Sequence, residues 1–215
     1  MLSEMVTIEL ILVDPKSALC ESFRERFADL PNVTITQGRF EELSAFDCMV
    51  SAANSFGLMD GGVDAAIIRF FGDALMNRVQ NRILQEYLGE QSVGTSMLVE
   101  TDHPDHPYIA HTPTMRVPMD IAQTDNVYKA MWAMLLAVHH HNRQSHSPIQ
   151  RIACPGLGTA TGHVPLHEAA RQMALAYGNY LNPPTRITWD YAGDRQHQVI
   201  YGGDMGLSLP PNLKL

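Results

Sequence analysis

Short apolar runs alternate along the chain with longer stretches in which apolar residues recur at helical spacing. The predicted strands are Val6–Val13, Asn32–Thr36, Asp47–Ala53, Gly94–Val99, Tyr108–Thr112, Ile149–Cys154 and Arg186–Tyr191. The predicted helices are Lys16–Phe27, Val63–Tyr87, Asp125–His140 and Pro165–Leu181. Strands that alternate with helices favour an α/β fold, in which a mostly parallel sheet is covered by helices on both faces.

One stretch, Ser51–Gly72, combines the end of a buried strand, a glycine-rich turn and the start of a helix. Gly61 and Gly62 supply flexible backbone, and the free N–H groups of a helix's first turn favour phosphate or carboxylate. Asn54 and Asp64 bring polar side chains to the rim of this turn. The same pattern is also typical of an ordinary βα turn, in which Asp64 only complements the helix dipole.

A second glycine-rich loop lies between the last central strand and the helix that begins at Pro165. It consists of Gly156, Leu157, Gly158, Thr159, Ala160, Thr161 and Gly162. Consecutive N–H groups in such a loop can turn inward and bind phosphate oxygens, and the two threonines add hydroxyl donors. Because open α/β sheets bind ligands at the carboxyl ends of their strands, the two loops are expected to face one cleft. Two anion sites in one cleft suit a diphosphate.

The second loop also matches G-x-G-x-x-x-G, which resembles a dinucleotide-binding turn and leaves an NAD-dependent enzyme as an alternative. About twenty residues further on stands the segment Gly178–Pro183, which lacks the acidic residue that would bind a ribose. A P-loop is excluded because no G-K-[ST] element follows the glycines.

The composition and net charge of the chain limit the kinds of molecule that it is expected to bind. The chain has 215 residues, of which 45% are hydrophobic, as expected for a domain with a sizeable core. Its net charge of −8 argues against an extended nucleic-acid surface or binding to an acidic membrane. Three cysteines without C-x-x-C spacing indicate neither disulfides nor a metal site, and the first residues lack the features of a signal peptide. We therefore expect a cytoplasmic protein that does not bind membranes.

The run AANSFGLMDGGVDAAIIRFFG resembles the first ligand loop of macrodomains, with Ala52-Ala53-Asn54 and Gly61-Gly62-Val63-Asp64 matching in identity and spacing. The second loop resembles the phosphate loop of the same family, and the similarity covers about residues 32–190. This resemblance implies a three-layer α/β/α sandwich with a mixed, mostly parallel central sheet. Residues 1–193 would then form a single macro-like domain with an extra N-terminal strand and helix, and residues 194–215 a C-terminal tail.

The resemblance also implies a function, namely the binding of ADP-ribose or a derivative without a cofactor. The implied ligand-binding residues are Ala53, Gly61, Gly62, Val63, Gly156, Leu157, Gly158, Thr159, Ala160, Thr161 and Gly162. Asn54 and Asp64 match positions that orient the distal ribose and an attacking water in family members that hydrolyse ADP-ribosyl or ADP-ribose-1''-phosphate linkages. The rival interpretation is a non-catalytic reader that recognises an ADP-ribosylated macromolecule.

Two positions depart from the family pattern. Family members often have Gly-Asp-Ile before the first loop, where the Asp binds the adenine amine, and this chain has Gly38-Arg39-Phe40 instead. Arg39 could stack on adenine but cannot accept a proton, so Asp14, at the end of the extra strand, is a candidate substitute. Thr161 stands near the place where the family often has an aromatic residue.

Overall fold

A computed structural model describes residues 7–199, which form six strands and six α-helices. The strands are β1 (Glu9–Asp14), β2 (Val33–Gln37), β3 (Cys48–Asn54), β4 (Met97–Glu100), β5 (Tyr108–Met115) and β6 (Arg151–Cys154). The helices are α1 (Ser17–Arg26), α2 (Gly62–Phe71), α3 (Ala74–Glu86), α4 (Asn126–Gln144), α5 (Leu166–Leu181) and α6 (Trp189–Val199). A single 3-10 turn, Phe40–Glu42, follows β2.

The six strands form one sheet in the order β2-β1-β6-β3-β5-β4. Every neighbouring pair is parallel except β4 and β5, which pair antiparallel at the edge. The prediction of a mixed, mostly parallel sheet is therefore confirmed. The N-terminal strand β1 is an inner strand that lies between β2 and β6. Because β1, β2, β3, β5 and β6 are paired in parallel, they all end at the same edge of the sheet.

Side chains on the two faces of the sheet belong to two separate hydrophobic clusters. On one face, strand residues such as Val50 pack with Phe23 of α1, Leu135 of α4 and Tyr177 of α5. On the other face, alternate strand residues such as Met49 pack with apolar residues of α2 and α3. Strand alternation thus separates the two layers of helices, and the predicted three-layer α/β/α sandwich is confirmed.

The helix predicted from Val63 to Tyr87 is wrong as a single element, because it is two helices. Gly72 ends α2 with φ of 92°, a left-handed conformation that other residues rarely adopt, and α3 begins at Ala74. Gly89, which follows α3, also has a positive φ of 100°.

The strand predicted at Arg186–Tyr191 is also wrong, since Trp189 begins α6. This helix is attached to α4 through the side chain of Arg195. The Arg195 guanidinium lies 5.0 Å from the centre of the Trp132 ring and donates to the Tyr128 hydroxyl at 2.6 Å. Because α6 continues through residue 193, the domain end predicted there lies inside a helix. The rest of the predicted tail, residues 200–215, lies outside the described residues.

Candidate functional site

A cavity of about 470 Å³ opens at the carboxyl ends of the strands and receives residues from both glycine-rich loops. The predicted residues that line it are Asp14, Arg39, Ala53, Asn54, Gly61, Gly62, Val63, Asp64, Gly156, Gly158, Thr159, Ala160, Thr161 and Gly162. Leu157 is the exception, because its side chain is fully buried in the hydrophobic core. The two loops, about 100 residues apart in the chain, meet in one cleft because β3 and β6 are parallel neighbours.

Asn54 organises the first loop through its own amide group. Its Nδ2 donates to the carbonyl of Leu58 at 2.8 Å, and its Oδ1 accepts the backbone N–H of Phe56 at 3.0 Å. An amide nitrogen carries two hydrogens, so one N–H of Asn54 is left for a ligand. The side chain thus shapes the loop as well as lining the cleft.

The N-terminus of α2 faces the cleft with its first backbone amides uncapped. Gly61 occupies the N-cap position and provides no side-chain hydrogen bond. Apart from the adjoining residues and the backbone of α2 itself, no atom lies within 4 Å of the place where a Cβ would stand on Gly61 or Gly62, and Gly62 has a φ of 55°. Uncapped N–H groups and the helix dipole make this end of α2 suited to an anion.

Asp64, in the first turn of α2, is a buried carboxylate at the wall of the cleft. Its side chain is only 5% exposed, and its Oδ1 accepts a hydrogen bond from the Ser51 hydroxyl at 2.7 Å. Burial raises the pKa of Asp64 to about 6, the Ser51 hydrogen bond opposes that rise, and the negative charge of Asp60 adds to it. A carboxylate with a pKa near neutrality is suited to accept a proton from water.

In the second loop, three glycines are required by packing. A Cβ on Gly156 would stand 2.3 Å from Cδ2 of Leu19, and one on Gly162 would stand 2.6 Å from the carbonyl oxygen of Gly158. Gly158 itself has a φ of 69°. Hydrogen bonds from Val164 N–H to Gly158 O and from Ile121 N–H to Gly162 O hold the loop closed. The loop is therefore a rigid element that fits tightly against its neighbours.

Asp14 and Arg39 lie at the β1 and β2 side of the cleft. Asp14 ends β1, and its Oδ1 accepts the backbone N–H of Lys16 at 2.9 Å. Its Oδ2 would be 3.2 Å from a Cβ on Gly156, which places this oxygen beside the second loop. Arg39 is exposed and also lines the cavity. One acidic and one basic side chain are thus available at this end.

The sequence did not point to Ser51, which is fully buried and donates a hydrogen bond to Asp64. A signal was present, because Ser51 is an isolated hydroxyl inside the apolar run that forms β3. It also missed Thr114, Met115 and Pro118, which line the cavity from β5 and the segment that follows it. Finding these residues requires knowing that β5 is the neighbour of β3.

Within residues 7–199, no cluster of three His, Cys, Asp or Glu side chains is arranged to hold a metal ion. No helix in that part of the chain has the length and apolar character needed to cross a membrane.

Comparison with known proteins gives one family and a consistent set of relatives. The family model for the Macro domain matches residues 50–173. An uncharacterized protein of Aquifex aeolicus is 30% identical over 142 residues, which cover 66% of this chain and 78% of the relative.

Solved macrodomains share the fold. The macrodomain of Mycobacterium tuberculosis DarG aligns with a TM-score of 0.56 at 18% identity, covering 68% of this chain and 89% of that one. A mutant of the Oceanobacillus iheyensis macrodomain, solved with ADPR, aligns with a TM-score of 0.57 at 20% identity, covering 75% and 88%.

Proposed function

The chain belongs to the Macro domain family, and from that membership we propose that it binds ADP-ribose or a derivative of it. The observation that carries the proposal is the single cavity of about 470 Å³ into which both glycine-rich loops open. A volume of this size is typical of pockets for small ligands. The Oceanobacillus iheyensis relative solved with ADPR supports the same ligand class.

The diphosphate is assigned to the space between the two loops. The uncapped amides at the start of α2 would bind it from one side. The backbone of Gly158–Gly162 would bind it from the other side, where Thr161 adds a hydroxyl donor. The Thr159 hydroxyl donates to the carbonyl of Gly156 at 3.4 Å and would have to turn away from it to reach the ligand. Backbone amides can bind phosphate oxygens directly, without a cationic side chain in contact with them.

The adenine is assigned to the Asp14 and Arg39 side of the cleft. The Oδ2 of Asp14 would accept a hydrogen bond from the adenine amine, which Arg39 cannot do. Arg39, exposed at the end of β2, would stack its planar guanidinium on the base. This arrangement replaces the acidic residue that stands at the Arg39 position in many family members.

The distal ribose then lies toward Asn54 and Asp64, and we propose that the protein hydrolyses an ADP-ribosyl ester or an ADP-ribose phosphate. Asn54 would hold ribose hydroxyls with its remaining N–H. Asp64 would accept a proton from the attacking water, while the bond to the leaving carboxylate or to the phosphate breaks. With a pKa of about 6, Asp64 would be mostly ionised at neutral pH.

A non-catalytic reader of ADP-ribosylated macromolecules is the second candidate. It is favoured by the hydrogen bonds that tie Asn54 to its own loop, because an amide used for loop structure has less freedom to handle substrate. A reader would bind ADP-ribose through the same amides and would not turn over a modified substrate.

The test is calorimetric titration of the wild-type protein with ADP-ribose, NAD and AMP, combined with a hydrolysis assay on an ADP-ribosyl ester peptide and ADP-ribose-1''-phosphate. We expect tight binding of ADP-ribose, and release of ADP-ribose from at least one substrate. Asp64→Asn should abolish turnover and leave most of the binding, whereas Asp29→Asn, at an exposed acidic residue that does not line the cavity, should retain both. Binding without turnover would favour the reader, and preference for NAD would contradict the proposal.

A further inference from the structure

Building on the proposed hydrolysis, we propose that Ser51 is a positioning residue whose hydroxyl orients the Asp64 carboxylate and favours its ionised form. Ser51 belongs to β3, three residues before Asn54, and is 0% exposed. The distance from its Oγ to Oδ1 of Asp64 is 2.7 Å, and the contact joins β3 to the first turn of α2. Burial on both sides makes this hydrogen bond costly to lose.

The chemistry of the pair determines which atom donates. A serine hydroxyl has one hydrogen to donate, and an ionised carboxylate only accepts, so the Ser51 hydrogen is committed to Oδ1 while Asp64 is ionised. Among residues 7–199, Oδ2 of Asp64 has no hydrogen-bond partner, and Asp64 lines the cavity. Oδ2 is therefore the oxygen available to a water in the cleft.

The other charged groups around Asp64 do not stabilise its ionised form through a close contact. From the loop before α2, Asp60 disfavours ionisation by like charge. Further charged side chains line the same cavity from other elements, namely Arg69 of α2, Asp14 and Lys16 at the junction of β1 and α1, and Arg39 and Glu41 after β2. No direct bond joins any of these side chains to Asp64 in the part of the chain that the structure describes.

His111 is the titratable neighbour of Ser51 in the sheet. It is the register partner of Ser51 on β5, and it is fully buried. Burial lowers the pKa of His111 to about 3, so the imidazole is neutral throughout the range in which Asp64 titrates. Its Nδ1 lies 2.6 Å from Oε1 of Gln91, which holds the ring in place. The Ser51 hydroxyl is therefore the close contact that favours the Asp64 carboxylate.

The decisive variant is Ser51→Ala, assayed for hydrolysis as a function of pH. A hydrogen bond to a charged group is expected to move the acidic limb of the pH–rate profile by about one pH unit. The rate at pH 6 should fall about fivefold, and the rate at pH 8.5 should stay within about twofold of wild type. Ser51→Thr, which keeps the hydroxyl, should restore the wild-type profile.

A matched control removes another buried hydroxyl. Thr112 is fully buried on the neighbouring strand and donates to its own strand at Ala110, so Thr112→Val should leave the pH profile unchanged. If Ser51→Ala does not fold, Ser51→Cys keeps a side chain of similar size whose thiol is only a weak donor. The acidic limb of its pH–rate profile should then also move to higher pH. An equal loss of rate at every pH would mean a merely structural role and would overturn the proposal.

A second readout does not depend on turnover. Carbon-13 NMR of the carboxyl groups, with the Asp64 resonance assigned through Asp64→Asn, gives the titration midpoint of Asp64 directly. We expect Ser51→Ala to raise that midpoint by about one pH unit. An unchanged midpoint refutes the role of Ser51 whether or not the protein is an enzyme. A raised midpoint in a protein without turnover would refute only the proposed hydrolysis.

Discussion

Replacing Asp64 by asparagine should stabilise the folded protein at neutral pH, because the native carboxylate is ionised at a buried position. Asp64 is 5% exposed, and burial raises its pKa from 3.8 to about 6. Asparagine has nearly the same shape, carries no charge and can still accept the hydrogen bond that Ser51 donates at 2.7 Å. The substitution thus removes the cost of the buried charge with little change in packing.

The magnitude follows from the difference between the folded and unfolded pKa values. Between pH 4 and pH 6, roughly, the folded protein binds more protons at Asp64 than the unfolded chain does, so stability falls as pH rises. Below the unfolded pKa of 3.8, Asp64 is neutral in both states and imposes no penalty on folding. As the pH rises through the folded pKa of about 6, the buried carboxyl group ionises and that full stability is lost. The raised pKa of Asp64 therefore lowers the free energy of unfolding by about 3 kcal/mol at pH 7.5 and by about 1 kcal/mol at pH 4.5.

The assay is urea denaturation of wild type and Asp64→Asn at both pH values. The gain in unfolding free energy from the substitution should be about 2 kcal/mol larger at pH 7.5 than at pH 4.5. Other titrating groups are common to both proteins, so their effects cancel in this difference. Asp29→Asn, at an exposed acidic residue that does not act on Asp64, should change the same difference by less than about 0.5 kcal/mol. A gain that is independent of pH, or a loss at pH 7.5, would refute the burial of an ionisable Asp64.

Two further predictions concern the loops and the C-terminal helix. Gly162→Ala should lower the unfolding free energy by about 1–3 kcal/mol, because its Cβ would meet Gly158 O at 2.6 Å. Gly61→Ala should unfold like wild type, because its Cβ would meet no atom beyond the adjoining residues within 4 Å. It should bind ADP-ribose at least about tenfold more weakly in calorimetry, because the added methyl group stands at the N-cap of α2, where the diphosphate would bind. Equal effects of the two substitutions on stability would contradict the loop packing. Arg195→Leu should lower the free energy of unfolding by about 1 kcal/mol and speed amide hydrogen exchange in α6, because it removes the contacts with Trp132 and Tyr128. Arg186→Leu, at an exposed position, should have neither effect. If exchange in α6 stays as slow in Arg195→Leu as in Arg186→Leu, Arg195 does not hold the helix.

Much of the fold followed from local pattern. Alternating strands and helices predicted the layers, and the rule that parallel strands end at one edge predicted that Gly61 and Gly158 line one cleft. The failures were local signals overridden by tertiary packing. Residues 186–191 alternate like a strand, but α6 begins at Trp189, and Arg195 of that helix lies over the Trp132 ring of α4. Leu157 lies within the loop pattern, but its apolar side chain is buried in the core.

The sequence by itself determined the glycine-rich turns, a helix that starts within one residue of Val63 and the acidic residue in its first turn, because these depend on residues close together in the chain. Only the tertiary structure decided how Asp64 meets Ser51, and that β1 lies between β2 and β6 with Asp14 at the cleft. Strand order and helix docking bring together groups that are distant in sequence. The burial that raises the pKa of Asp64 arises from that docking, so no local pattern contains it.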